Sequence, residues 1–377
     1  MKEYITSEFV GRGHPDKLAD LISDSILTHC LATDKDSRVA CETMVKDDYV
    51  VLGGEVTTKA DLSETAIRIV VTEALESIGY HYTPRIINIL NKQSPDIALG
   101  TNDEIGGAGD QGIMFGFACN ETPEYMGLEY ALARRILRRL ESNGAEDLGP
   151  DMKSQVTSVY DEESDTKKIH RVLVSIQHTE DKTIEKLREY VGKNVDQILE
   201  EMGLEKDDDY ELLVNPTGRF VVGGPFGDSG VTGRKIVVDQ YGENARVGGG
   251  AFSGKDPTKV DRSAAYMCRF LAKNIVASGI ADVCEIEISY AIGIAKPLSF
   301  NIIIDNEYVD LDKLKEIIMN RYDLTPKGII KFLDLKNVDY REVCKRGHYG
   351  IQCEDFSWEK IDNEFIKELE EEFKYDN

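Results

Sequence analysis

The 377-residue sequence has no C-x-x-C pair among its seven cysteines, Cys30, Cys41, Cys119, Cys268, Cys284, Cys344 and Cys353, which are odd in number and scattered. That spacing fits neither a zinc ribbon nor a disulfide scaffold, so a reduced, cytoplasmic setting is expected. The opening stretch MKEYITSEFVGRGHPDK lacks the apolar core of a signal peptide, and no apolar run approaches the length that spans a bilayer. A protein with no membrane partner is therefore expected. Positive charge is scarce as well: 45 Lys and Arg stand against 69 Asp and Glu, a formal charge of -24. Most of such a surface repels a polyanion, so nucleic acid is not an expected partner and any phosphate site has to be local. Tryptophan occurs once, yet 41% of the residues are hydrophobic, and a chain of this length and composition builds two or three ordinary domains.

What the sequence does contain is a recurring unit: two alternating segments, then a helical stripe. In the first copy Val39, Cys41, Thr43 and Val45 alternate with polar residues, YVVLGGEV returns, and Ile67, Val70, Val71, Ala74, Leu75 and Ile78 mark one helical face. Asp61 and Glu64 suit that helix's capping box. In the second, SQVTSVY and IHRVLVSIQH flank the polar turn DEESDTKK, and Ile184, Leu187, Val191, Val195, Ile198 and Leu199 form the stripe. In the third, Cys284, Ile286, Ile288, Tyr290 and Ile292 alternate, LSFNIIID follows, and LDKLKEIIMNRY reads as helix. Three hairpin-plus-helix units predict three sheets, each with one face covered by helices, which is an α+β arrangement rather than a doubly wound parallel sheet. The uncovered faces must pack on something, so three similar domains about a common core, with spare faces buried in an oligomer, are expected.

Between the units lie glycine-rich stretches in which charge concentrates: GRGHPDK, LGTNDEIGGAGDQG, NPTGRFVVGGPFGDSGVTGRK and GGGAFSGKDPTK. Gly249, Gly254 and Lys255 keep the G-x-x-x-x-G-K spacing of a phosphate loop, but Asp256 replaces its hydroxyl residue and no clear parallel βαβ unit surrounds it. An anion is still favoured there. Asp256 and Pro257 read as N-cap and N1 of a helix through Val260, Ala264, Met267, Leu271 and Ile275, with Lys255 and Lys259 beside its exposed N–H groups. A glycine-rich turn before an ordinary capped helix is the plainer alternative. GRGHPDKLADLISDSIL repeats the design: Pro15 suits N1, Leu18, Leu21, Ile22 and Ile26 form the buried stripe, and His14, Asp16 and Lys17 stand at the helix's positive end. Asp16 offers magnesium a hard oxygen, with Asp261 as a second ligand. A capping histidine and a first-turn acid account for His14 and Asp16 more simply. In the third stretch Phe220 offers a face for a purine, Asp228 an acid for ribose or amine, and Arg219, Arg234 and Lys235 cations for phosphate, against the alternative of a surface hairpin.

Taken in order, GHPDK, GAGDQG and GGGAFSGKDPTKVDRSAAY closely resemble the signatures of the S-adenosylmethionine synthetase family, and the similarity continues through CET, KQSPDI, NPTGRFVVGGP, DSGVTGRK and EISYAIG to GHYG. The resemblance implies three similar α+β domains about a pseudo-threefold. Divisions are expected near 1–100, 101–222 and 223–377, with chain crossovers between them. It implies a homodimer or homotetramer that buries flat sheet faces and places active sites between subunits. The implied reaction joins ATP and L-methionine: sulfur attacks C5′ of the ribose, the whole triphosphate is expelled, and it is then hydrolysed to pyrophosphate and phosphate. Two magnesium ions per site and potassium are the implied cofactors. On matching positions, His14 would contact the triphosphate near the breaking bond, Asp16 and Asp261 would bind magnesium, and Glu42 in CET would bind potassium. Glu55, Gln93, Asp110, Asp228 and Lys259 would surround methionine. Asp151, Lys153, Arg219, Phe220, Asp228, Arg234, Lys235, Ala251 and Lys255 would surround ATP, with His14, Lys153, Arg234, Lys235 and Lys255 carrying the catalysis.

Two departures stand out. Phe9 and Arg12 occupy positions where the family usually has Ser and Glu, which reverses a charge beside GHPDK, and Arg12 is expected to lean on the triphosphate or on Glu8. The stretch from Gln93 to GAGDQG is shorter than in common bacterial members. The nearest rival activity is an ATP-dependent phosphotransferase or tripolyphosphatase on the same cradle, which differs in its products because adenosyl transfer leaves no ADP. A non-catalytic subunit would be expected to lack His14, Asp16 or Lys255, and all three are present.

Overall fold

The computed structural model describes residues 2–92, 107–143, 146–164, 166–350 and 356–373. Strand β1 (Lys2–Val10) leads into helix α1 (Pro15–Thr33), and the first hairpin follows as β2 (Arg38–Lys46) and β3 (Tyr49–Thr57). Its register, Arg38 opposite Thr57 through Lys46 opposite Tyr49, leaves Asp47 and Asp48 for the turn, and Asp47 adopts a φ of 51°. Aspartate tolerates that left-handed region better than most residues. Val39, Cys41, Thr43 and Val45 point inward and are buried, as the alternation predicts.

Helix α2 (Glu64–Glu76) buries Ile67, Val71, Ala74 and Leu75. Its cap differs from the expected one. Ser63 is the N-cap, with its hydroxyl accepting the Ala66 N–H at 3.3 Å, while Asp61 accepts the Ser63 N–H at 2.8 Å. The helix therefore starts too late for Asp61 and Glu64 to form a capping box.

The chain continues through β4 (Arg85–Asn88), β5 (Gly112–Cys119), α3 (Leu128–Ser142), the second hairpin β6 (Leu148–Asp161) and β7 (Thr166–His178), α4 (Ile184–Glu201) and β8 (Lys206–Val214). Then come β9 (Gly230–Val231), α5 (Ile236–Asp239), α6 (Val260–Ala277), the third hairpin β10 (Val283–Tyr290) and β11 (Ser299–Ile304), α7 (Leu311–Arg321), α8 (Pro326–Phe332), α9 (Tyr340–Arg346) and α10 (Asn363–Glu372). In the third hairpin the alternation stops at Tyr290: Ile292 is 62% exposed, and Gly293 turns the chain with a φ of 74°.

Among the described residues three sheets form, ordered β4-β3-β2-β9, β1-β6-β7-β8 and β11-β10-β5. Each expected hairpin thus has its own sheet and is completed by a strand from elsewhere in the chain. β4 and β8 lie parallel to β3 and β7 because a helix, α2 or α4, carries the chain back across the sheet first. One apolar core surrounds α1 and α6 and reaches the first and third sheets, and a second fills the space between α3, α4 and the second sheet. α6 is buried on nearly every side. The outer face of the first sheet stays open, with Met44 46% and Ile89 59% exposed beside Glu42 and Glu55. Among the described residues no helix is long and apolar enough to cross a membrane.

Candidate active site

The chain enters α1 through a constrained passage. A Cβ on Gly13 would lie 2.2 Å from the Pro150 oxygen, so only glycine lets this backbone pass the start of β6. From the other side the Tyr80 hydroxyl donates to the Gly13 carbonyl at 2.6 Å. Pro15 takes N1, and His14 is the N-cap, its Nδ1 accepting the Asp16 N–H at 3.1 Å. A neutral imidazole in that arrangement carries its proton on Nε2. His14 is indeed held neutral, because burial, followed by the charges of Lys153 and Lys235, lowers its pKa to about 4. One ring nitrogen therefore caps the helix, and the other is a donor.

At this end of α1 opens a cavity of about 320 Å³ whose walls include His14, Asp151, Lys153, Arg219, Phe220 and Asp228. Asp151 and Lys153 come from β6. Arg219 and Phe220 follow β8, where Asn215 adopts a φ of 41° and its side-chain amide bonds the Ile176 N–H and C=O at 2.8 and 2.9 Å, as a neighbouring strand would. The expected alternative of a surface hairpin does not form: strand structure between Asn215 and Lys235 is limited to β9. Asp151 accepts the Gly224 N–H at 2.8 Å through Oδ2, while its Oδ1 is buried with no partner among the described residues. Burial raises the Asp151 pKa against the Gly224 N–H and Lys153. An orphaned acceptor of this kind in a cavity wall suits a hydroxyl or amine of a ligand. Arg219 stands at the rim, paired with Glu180 at 2.5 Å.

Asp16 is 2% exposed; its Oδ2 lies 2.5 Å from Lys235 Nζ, its Oδ1 accepts the Val231 N–H at 2.9 Å, and Arg234 approaches to 3.6 Å. Burial pushes its pKa up, but the Lys235 and Val231 hydrogen bonds and the Lys235 charge outweigh it, and the net shift is downward. Asp16 thus stays ionised. Lys17 does not join this group at the positive end of α1. It turns inward, with Nζ 2.9 Å from Asp20 and 2.5 Å from Asp239.

A second cluster forms on the 248–261 segment. α6 begins at Val260 with Lys259 at the N-cap and no side-chain cap, so Asp256 and Pro257 are not its N-cap and N1. Asp256 is instead fully buried, because its carboxylate accepts the Val39 N–H at 2.7 Å and the Thr258 N–H and hydroxyl at 3.0 and 2.7 Å, and pairs with the Lys259 ammonium. It ties the loop to β2. Lys255 Nζ lies 2.7 Å from Asp261 Oδ2. Ala251 sits against Gly233, where a Cβ would come 2.6 Å from its methyl, so the loop runs beside Arg234 and Lys235.

Other expected residues lie apart. Glu42 and Glu55 are exposed on the open face of the first sheet and Asp110 is exposed before β5; none of these lines the cavity, and Gln93 falls outside the described residues. Arg12 pairs with Glu141 of α3 at 3.5 Å, not with Glu8 or with the cavity. Larger grooves, of about 720 Å³ beside Leu298 and Met319 and about 420 Å³ between α1, α2 and α9, contain none of these residues. Tyr80 and Asn215 are not legible as site residues in the sequence, since no local pattern links Tyr80 to Gly13, 67 positions away.

Family models described as S-adenosylmethionine synthetase match this chain in order: the N-terminal domain over residues 2–95, the central domain over 105–220 and the C-terminal domain over 222–360. The S-adenosylmethionine synthase of Fusobacterium nucleatum is 47% identical over 372 residues, covering 95% of this chain and 96% of that protein. That of Akkermansia muciniphila is 45% identical over 389 residues, covering 97% of each. Among solved structures, one described as an unusual S-adenosylmethionine synthetase from Campylobacter jejuni superposes with a TM-score of 0.85 at 37% identity, covering 97% of this chain and 99% of that one.

Proposed function

We propose how this chain, which belongs to the S-adenosylmethionine synthetase family, assigns its residues to the family's reaction. The chain is a methionine adenosyltransferase that forms S-adenosylmethionine from ATP and L-methionine. The observation that carries the assignment is the cavity at the start of α1, where His14, Asp151, Lys153, Arg219, Phe220 and Asp228 converge from separate segments. Phe220 faces the purine, and Asp151 accepts from the nucleoside. The triphosphate extends towards His14, Lys153, Arg234 and Lys235, with Ala251 and Lys255 on the facing loop. Glu55, Gln93, Asp110, Asp228 and Lys259 hold methionine.

In the reaction a lone pair of the thioether sulfur forms the S–C5′ bond while the C5′–O bond breaks, giving a sulfonium and free tripolyphosphate. Sulfur carries no proton, so no general base is needed. The protein's work is to hold sulfur and C5′ in line and to stabilise the departing polyanion. The neutral His14 suits the second of these, because it donates through Nε2 without needing to be protonated. The same cations hold the tripolyphosphate for hydrolysis to pyrophosphate and phosphate.

Asp16 and Asp261 are hard oxygen donors on separate helices. Among the described residues no three His, Cys, Asp or Glu groups surround one point, which suits magnesium held jointly with phosphate oxygens rather than in an all-protein cage. Two magnesium ions at these carboxylates would neutralise the triphosphate, and potassium would sit at Glu42. The open outer face of the first sheet, where Met44 and Ile89 are exposed, supports a homodimer or homotetramer with sites between subunits, since exposed apolar patches mark interfaces. The six cysteines among the described residues are buried and free, which supports a cytoplasmic setting. We place the domain divisions at 1–100, 101–222 and 223–377, with β1, β5 and β9 crossing between sheets. The pure protein given ATP, methionine, magnesium and potassium should yield S-adenosylmethionine by mass spectrometry; ADP as the nucleotide product would point to phosphotransfer instead.

A further inference from the structure

We propose that the buried pair Asp24–Arg262 is a positioning device for Lys255, an inference that rests on the role given to Lys255 above. Asp24 lies on α1 and Arg262 on α6. Both side chains are fully buried and joined by two bonds, Nη1 to Oδ1 at 2.7 Å and Nη2 to Oδ2 at 2.6 Å. Each partner also reaches the loop. Oδ1 accepts the Gly254 N–H at 2.8 Å, and Nη1 donates to the Lys255 carbonyl at 3.1 Å. From the opposite side β2 holds the same stretch, with the Cys41 N–H donating to the Gly254 carbonyl at 3.0 Å and the Asp256 N–H to the Val39 carbonyl at 3.1 Å. The Lys255 N–H donates to Phe252 O at 3.3 Å. Every backbone polar group from the Gly254 N–H to the Asp256 N–H therefore has a partner. The contact with β2 is close enough that a Cβ on Gly254, whose φ is 79°, would lie 1.9 Å from the Cys41 oxygen.

A buried ion pair alone is weak evidence for stability, since packed apolar residues of similar volume often do as well. Apolar replacements here would strand the Gly254 N–H and the Lys255 carbonyl away from water. The pair is itself held. The Cys344 thiol donates to Asp24 Oδ2 at 3.0 Å, Arg262 Nε donates to the Tyr266 hydroxyl at 3.1 Å, and the guanidinium lies 4.1 Å over the Tyr340 ring. Asp261, the residue before Arg262, meets Lys255 Nζ at 2.7 Å. One turn of α6 thus grips Lys255 twice, by its carbonyl from inside the core and by its ammonium at the site.

The test is a double-mutant cycle of Arg262→Lys with Lys255→Ala. A lysine can meet Asp24 or the Lys255 carbonyl but lacks the fork that spans both. Arg262→Lys should lower kcat about tenfold or more while changing the KM for ATP and methionine less than about twofold, because displacement of a catalytic group costs turnover steeply. In the Lys255→Ala background the same change should cost less than about twofold. Unchanged kcat in Lys255→Ala alone would remove the role of Lys255. A large loss in Lys255→Ala, with the Arg262→Lys effect undiminished beside it, would leave that role standing and overturn the positioning. Should Arg262→Lys not fold, native-state hydrogen exchange of the wild-type enzyme decides: the Gly254 amide should exchange only with global unfolding, and exchange through local opening overturns the proposal.

Discussion

Replacing His14 by asparagine separates two roles that the imidazole combines, helix cap and hydrogen-bond donor. Asparagine is a strong N-cap, so His14→Asn keeps an acceptor for the Asp16 N–H, but it places no donor where Nε2 stands. Loss of one donor to a developing oxyanion costs roughly 100- to 1000-fold in kcat. Loss of the cap, which His14→Ala adds to loss of the donor, costs about 1 kcal/mol of stability. His14→Asn should therefore lose turnover at nearly wild-type stability, and His14→Ala should lose both. Stability also acquires a pH dependence. The folded pKa of about 4 lies below the ordinary 6.5, so the unfolded chain binds the proton more readily. The contribution is complete above pH 6.5 and is lost as the pH falls towards 4, reaching about 2 kcal/mol by pH 5. Urea melts of wild type and His14→Asn at pH 7.5 and pH 5, with steady-state kinetics at neutral pH, provide the measurements. Wild-type kcat in His14→Asn, or the same acid loss of stability in both proteins, would refute the reasoning.

Arg12→Glu should set like charges against Glu141, lower stability by about 1 kcal/mol and leave tripolyphosphate inhibition unchanged; weaker inhibition would return Arg12 to the phosphate site. Potassium should accelerate the wild-type enzyme and have little effect on Glu42→Gln, and equal acceleration of both would remove Glu42 as its ligand. Because the first sheet leaves Met44 and Ile89 exposed, the melting temperature should rise with protein concentration. A well-folded monomer by sedimentation at assay concentrations would refute a shared interface.

Where the site is legible in the sequence, local chemistry explains why. His14 and Pro15 announce a helix entry because proline suits N1 and a side-chain acceptor suits the N-cap, and the cavity residues stand in glycine-rich stretches where a backbone can approach a ligand. Where the expectation fails, a competing partner decides. Asp256 has the position of an N-cap before Val260, but the Val39 N–H and Lys259 capture its carboxylate. Lys17, one residue from Asp16, has the position of a phosphate cation, yet Asp20 and Asp239 draw it into the core. Arg12 meets Glu141 on a helix that no sequence spacing places beside it.

The sequence by itself determined the three hairpins, the helices that follow them and the entry into α1, because alternation, helical stripes and a proline at N1 act through residues a few positions apart. Only the tertiary structure decided which strand completes each sheet, which way each charge points and what holds Lys255. Those outcomes depend on groups far apart in the chain, such as the Gly254 N–H and Asp24, 230 positions away. A buried donor or ion must find a partner wherever the packed chain brings one within about 3 Å, and sequence spacing does not encode that distance.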